Sequence, residues 1–145
     1  MGTASARGWV GLALLALVGC GSGESKLAAV QGRVFYRGQP VPGGTIVFVP
    51  DPERGGGGPL AASEISADGT YTLHTGTRPG AVPGWHRVTV AHPVRGQTPA
   101  NSTRQGEPAL AGGWTLPRRF SHPDQSGQVH EVKAGTQNVI DIKLE

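Results

Sequence analysis

Between residue 29 and the C-terminus, clusters of glycine and proline cut the chain into short runs rich in β-branched residues. Proline removes a backbone donor and a glycine run offers no side chains to pack, so neither long helices nor long strands pass through such clusters. No window here repeats apolar residues at helical spacing, whereas several alternate with a period of two. Short strands joined by turns are what this pattern permits. The 24 glycines and 12 prolines make up a quarter of the chain, a level at which disorder is suspected, but the apolar runs between them argue for strands.

Seven runs carry the pattern. Val30, Gly32, Val34 and Tyr36 alternate with Gln31, Arg33 and Phe35 as a first strand with one mostly apolar face. Turn residues fill 37–44, and the run 45–49 follows with Ile46 and Phe48 pointing inward. Residues 50–59 read as a loop, because four consecutive glycines cannot be strand. The run 60–66 and a strand beginning Tyr71-Thr72-Leu73 flank the tight turn Ala67-Asp68-Gly69. Alternation resumes over 86–91, before a long polar loop at 92–117. The run 129–133, a turn at Ala134-Gly135 and the run 139–144 complete the chain. In that last run Ile140, Ile142 and Leu144 face inward while Asp141 and Lys143 face water, a half-buried strand of antiparallel character. The expected core is Val34, Ile46, Phe48, Tyr71, Leu73, Val88, Val90, Ile140 and Ile142. Strands at this spacing predict an all-β fold, a seven-stranded antiparallel β-sandwich.

The N-terminus is of another kind. Residues 10–18 are apolar, the length of a signal-peptide core and well short of the ~20 residues a membrane-spanning helix needs. Arg7 supplies the positive charge ahead of it. Leu17-Val18-Gly19-Cys20 resembles the lipobox of bacterial lipoproteins. That likeness implies cleavage before Cys20, a diacylglyceryl group on its sulfur and acylation of the new amino terminus. Three acyl chains anchor lastingly, since each buried methylene contributes about 0.8 kcal/mol and one chain alone is marginal. The alternative is an ordinary secretory signal in which Cys20 is incidental. Cys20 is the only cysteine, so no disulfide staples the exported part and packing alone must hold it. The expected division is a signal peptide at 1–19, the lipidated cysteine and a flexible tether at 20–28, and a sandwich domain at 29–145. The expected location is a bacterial membrane, on its periplasmic or outer face.

The stretches VQGRVFYRGQPVPGGTIVFVP, SADGTYTL, PGWHRVTVA and LPRRFSHPDQSGQVHEVKAGTQNVIDIKLE resemble carboxypeptidase-regulatory-like, transthyretin-like domains found in many small lipoproteins of planctomycete-type bacteria. The likeness spans 29–144 apart from the loops. It rests most on residues 38–42 followed by Ile46 and Phe48, on Asp68-Gly69-x-Tyr71, and on a final Val132-Lys133-Ala134-Gly135 hairpin. It implies a prealbumin-like, Ig-like sandwich and no reaction. His86 departs from the family, which usually has a buried aromatic there; it is either a core histidine needing a hydrogen-bond partner or a sign of a wetter face.

Five histidines, His74, His86, His92, His122 and His130, invite a metal reading. His86 and His92 share strand parity but would lie about 20 Å apart at ~3.3 Å per residue. No His-x-His or His-x₃-His spacing seeds a site, so neither metal nor cofactor is expected. Cys20 is committed to lipid, no Gly-x-Ser-x-Gly elbow exists, and Ser121, His122 and Asp124 are neighbours in sequence, which is not a triad in space. Asp51, Glu53 and Asp68 lack the dense acidic loop of a calcium cage. A net charge of +3 spread over scattered arginines argues against nucleic acid. The expectation is a noncatalytic, membrane-anchored module for an envelope protein or polysaccharide; the alternative is a metal carrier or hydrolase whose site assembles only in three dimensions. Trp85 is the candidate for stacking on a sugar ring, with core packing as its alternative. Arg95, Arg104 and Trp114 make the long loop a candidate partner site, with an insertion serving no partner as the alternative. Counting strand reversals puts the tether and the loops 51–59 and 76–84 at the membrane end. The turns 37–43 and 67–69 and the loop 92–117 then share the far end.

Overall fold

The expected runs all become strands, in a computed structural model that describes residue 2, residues 26–91 and residues 115–145. In chain order the strands are β1 (Val30–Tyr36), β2 (Gln39–Pro40), β3 (Thr45–Pro50), β4 (Ala61–Glu64), β5 (Thr70–Thr72), β6 (His74–Thr75), β7 (Arg78–Pro79), β8 (Gly84–Ala91), β9 (Val129–Val132), β10 (Asn138–Val139) and β11 (Ile142–Leu144). They form two sheets whose inner faces share one core, an all-β sandwich dominated by antiparallel pairs. In the first sheet β1 is central, with β5 and β2 along one side and β10 and β11 along the other. The second sheet runs β7-β6-β4-β3-β8-β9. One continuous run serves both sheets: β5 pairs with β1 and β6 pairs with β4, and the fully buried Leu73 between them marks the crossing.

Three local expectations need correction. The last strand is not antiparallel: β10 and β11 run parallel to β1, with Val30 opposite Asn138 and Val34 opposite Ile142. The cause lies just before it, where residues 133–137 carry the chain from the second sheet to the first, so the expected hairpin is a cross-sheet turn. Asn138 fastens that turn. Its Oδ1 accepts from the Lys133 N–H at 2.8 Å, and its Nδ2 donates to the carbonyls of Lys133 at 3.0 Å and Thr136 at 3.2 Å. Second, residues 37–44 hold more than turn. Arg37 and Gly38 both take positive φ, 49° and 79°, which is the two-residue geometry that lets β2 fold back on β1. Third, Leu116, inside the expected long loop, is buried with Phe120, whose ring meets Tyr36 edge to face at 6.1 Å.

The core matches the alternation. Val34, Ile46, Phe48, Tyr71, Leu73, Val88, Val90 and Ile142 are all buried, while Ile140 packs against them only in part. The ends of the sandwich sort as strand reversal requires. Ala28 bridges to Ala81, and the Asp51 N–H donates to the Trp85 carbonyl at 2.8 Å, so the chain entry and both expected membrane-end loops lie together. At the other end the Val34 N–H reaches the Gly69 carbonyl at 2.9 Å, and Thr45 pairs with Ala91. Among the described residues no helix is long and apolar enough to cross a membrane.

Candidate functional site

Along β8, His86 and Val88 turn into the core, so Trp85 and Arg87 stand on the outer face of the second sheet. Arg87 gathers three carboxylates. Its Nη2 lies 3.2 Å from Asp51 Oδ1 and bonds the Glu53 carboxylate, while its Nη1 bonds that of Asp124. The Asp51 side chain is fully buried, and its Oδ1 also accepts the Glu53 N–H at 3.1 Å, capping a 3₁₀ turn over Pro52–Arg54. A buried carboxylate needs such partners, and the hydrogen bond from Arg87 to Asp51 holds the guanidinium above its ordinary pKa. Gly56 permits the loop to lie this close: a Cβ there would overlap the Trp85 carbonyl. Residues 51–58 are thus pinned to β8 by Asp51. Trp85 itself is 37% exposed, so it is no core residue; the Arg54 guanidinium sits 5.9 Å from its ring centroid and Glu131 is its cross-strand neighbour.

On the outer face of the first sheet, half-buried Phe35 separates two grooves of about 340 and 320 Å³. Gln31, Arg33, Thr70, Val139 and Asp141 line the first, and Gly38, Lys143, Leu144 and Glu145 the second. The groups here are held from behind. Asp141 Oδ1 accepts the Arg33 N–H at 2.9 Å, and the Arg33 guanidinium lies 3.9 Å from Asp68. The Thr70 hydroxyl, 2.6 Å away, and then its N–H hold the Asp68 carboxyl below its ordinary range. Tyr71 donates to the Ile140 carbonyl at 2.5 Å, and burial, with the Asp141 charge, pushes its phenol far above its usual pKa. Sequence reasoning missed Phe35 as a site residue. Its signal was one aromatic ring among the polar positions of the first strand.

His86 is the core histidine of the two expected alternatives, and it is half satisfied. It is 1% exposed, its Nδ1 lies 3.0 Å from the Gly84 carbonyl, and its Nε2 is buried without a partner. The Phe48 ring centroid is 5.9 Å away, and the cross-strand neighbour is the partly buried His130. Burial lowers the pKa of both histidines, so the folded state favours their neutral forms. In the unfolded chain they titrate near 6.5, so the unfolded state binds more protons as pH falls below that value and stability is lost. Each histidine contributes at most about 1.4 kcal/mol per pH unit. The denaturation midpoint should therefore drop between pH 7 and pH 5.5, and His86→Phe should flatten that slope. A slope untouched by His86→Phe would assign the pH dependence elsewhere.

The remaining candidates do not converge. Ser121 donates to the Arg118 carbonyl at 2.7 Å while Asp124 binds Arg87, so Ser121, His122 and Asp124 do not form a relay. His74 Nδ1 lies 3.0 Å from the Thr72 carbonyl on an exposed strand. Among the described residues no three or more His, Cys, Asp or Glu side chains could hold a metal ion. Cys20, His92, Arg95, Arg104 and Trp114 lie outside the described residues. No family model, curated protein or solved structure matches the chain.

Proposed function

We propose that this chain is a noncatalytic envelope lipoprotein, anchored by acyl chains on Cys20 at a periplasmic or outer membrane face, whose sandwich binds an extended polysaccharide. Its likeness to carboxypeptidase-regulatory-like domains belongs to the same proposal. The observation that carries the binding reading is the pair of grooves on either side of Phe35. An aromatic ring flanked by amide, guanidinium, hydroxyl and carboxylate groups offers sugars a stacking face and hydrogen-bond partners. The grooves follow the last strand from Val139 to Glu145, a length suited to several sugar units. The noncatalytic reading is supported by where the titratable groups are spent: Asp51 and Asp124 on Arg87, Asp68 on Thr70, Tyr71 on a backbone carbonyl.

Co-sedimentation with insoluble envelope polysaccharide tests the site. Phe35→Ala should weaken binding about tenfold, equal to roughly 1.4 kcal/mol, while the chain stays folded. Binding at full strength by that variant removes the grooves as the site. New reducing ends released from the polysaccharide would contradict the noncatalytic reading.

A further inference from the structure

Among the described residues three large apolar side chains are exposed, Leu60 at 51%, Trp85 at 37% and Val139 at 67%, and all three lie at the same end of the sandwich. Val139 pairs with Gln31, one residue into β1. Trp85 stands one residue into β8, and its carbonyl is held by the Asp51 loop. Leu60 immediately precedes β4, whose first residue Ala61 pairs with Phe48 near the close of β3. This is also the end at which the chain enters, since Ala28 bridges to Ala81 there. The opposite end is different in kind. Its described turns present Arg37, Gly38, Gln39, Pro40, Ala67 and Asp68, and among the described residues no large apolar side chain is exposed there.

We infer that the end carrying Leu60, Trp85 and Val139 rests on the phospholipid surface of the anchoring membrane. The inference depends on the reading of Cys20 as the lipidated residue. From Cys20 to Lys26 is six residue steps, a reach of about 20 Å at most when fully extended. A tether that short holds the entry end near the headgroups. Isolated apolar side chains on a surface need no explanation, but their confinement, among the described residues, to the end facing lipid does. Tryptophan favours the membrane–water interface, where its apolar ring and its N–H are both accommodated. Lys26 and Lys133 lie at the same end and are exposed, able to meet lipid phosphates, although Glu53 and Glu131 are there as well. Contact through apolar side chains is therefore the larger part of the inference. Val139 forms the entry-end edge of the first groove, so the lipid contact meets that edge, while the second groove, lined by Gly38, Lys143, Leu144 and Glu145, lies toward the far end and stays open to a polysaccharide in this orientation.

The test uses the full lipid-modified chain in vesicles of phosphatidylcholine and phosphatidylglycerol that contain a doxyl-labelled quencher lipid. In the lipid-modified chain, which begins at Cys20, Trp114→Phe leaves Trp85 as the only indole. A companion chain adds Trp85→Phe and Gln39→Trp, which moves the indole to the far end. The expected result is at least twofold quenching of Trp85 emission with a blue shift, and no quenching in the Gln39→Trp companion. A chain that floats with the vesicles but whose Trp85 is quenched no more than the companion overturns the contact and leaves the anchor standing. A chain that does not float with the vesicles overturns the anchor and the contact together. Emission of Trp85 that shifts with soluble polysaccharide but not with quencher lipid overturns the contact and makes the indole a sugar platform.

Discussion

Gly32→Ala is expected to cost more than about 4 kcal/mol, most of the stability of a domain at the low end of the usual range of roughly 5 to 15 kcal/mol. Gly32 sits mid-way along β1, opposite the break between β10 and β11, which hold the same register on β1 on either side of it. A Cβ on residue 32 would overlap the carbonyl of Ile140, with the Tyr71 hydroxyl 3.1 Å away. The obstacle is backbone, so no rotamer change relieves it. To make room, the Ile140 carbonyl must leave the Tyr71 hydroxyl, and the Ile140 N–H must leave the Gln31 carbonyl it bonds at 2.8 Å. The loss of these bonds to buried groups adds to the overlap, which explains why the expected effect exceeds the 1 to 3 kcal/mol typical of an added methyl. Chemical denaturation measures the change, and hydrogen exchange locates it in β10 and β11. A midpoint within experimental error of the parent chain would mean that the last strand does not cross Gly32 as described.

How far the sequence foretold this depends on how local each cause is. Alternation located all seven runs because each reports only which side of its own backbone is buried; Ile46 and Phe48, or Ile142 against Lys143, need no knowledge of a partner strand. The parallel pairing of the last strand was hidden because it depends on a crossing between sheets, fixed by Asn138 and permitted by Gly32, residues unremarkable in their own neighbourhoods. The Asp51 loop reads as loose from its glycines. It is ordered by Arg87, 36 residues on, a pairing that no local pattern announces. Of the candidate site residues, Trp85 stands open in the sequence between sugar stacking and core packing, and its exposure follows once β8 begins at Gly84 and places His86 in the core. Phe35 has the same parity argument in its favour, yet its importance comes from two grooves that exist only once β1 has neighbours on both sides.

Phe48→Ala is expected to lower stability by about 3 to 5 kcal/mol, the range for deleting a large buried ring when the surroundings close in only partly. Phe48 is fully buried on β3, paired with Ala61 on one side and Val88 on the other, and so lies in the middle of the second sheet. Its ring centroid lies 6.2 Å from that of Tyr71, which belongs to the first sheet, and 5.9 Å from that of His86. It is thus a contact between the two layers as well as within one. The neighbours are poorly placed to collapse into the space: Ala61 is too small, and Tyr71 is fastened through its hydroxyl to Ile140. Water entering the void would meet the unpartnered Nε2 of His86, so the loss should fall toward the lower part of the range if a water fills it. Lys143→Ala is the matching control. Lys143 is exposed on the outer face of the last strand, and its removal should change stability by less than about 0.5 kcal/mol. Equal denaturation midpoints for the two variants would mean that the sheets do not meet across Phe48.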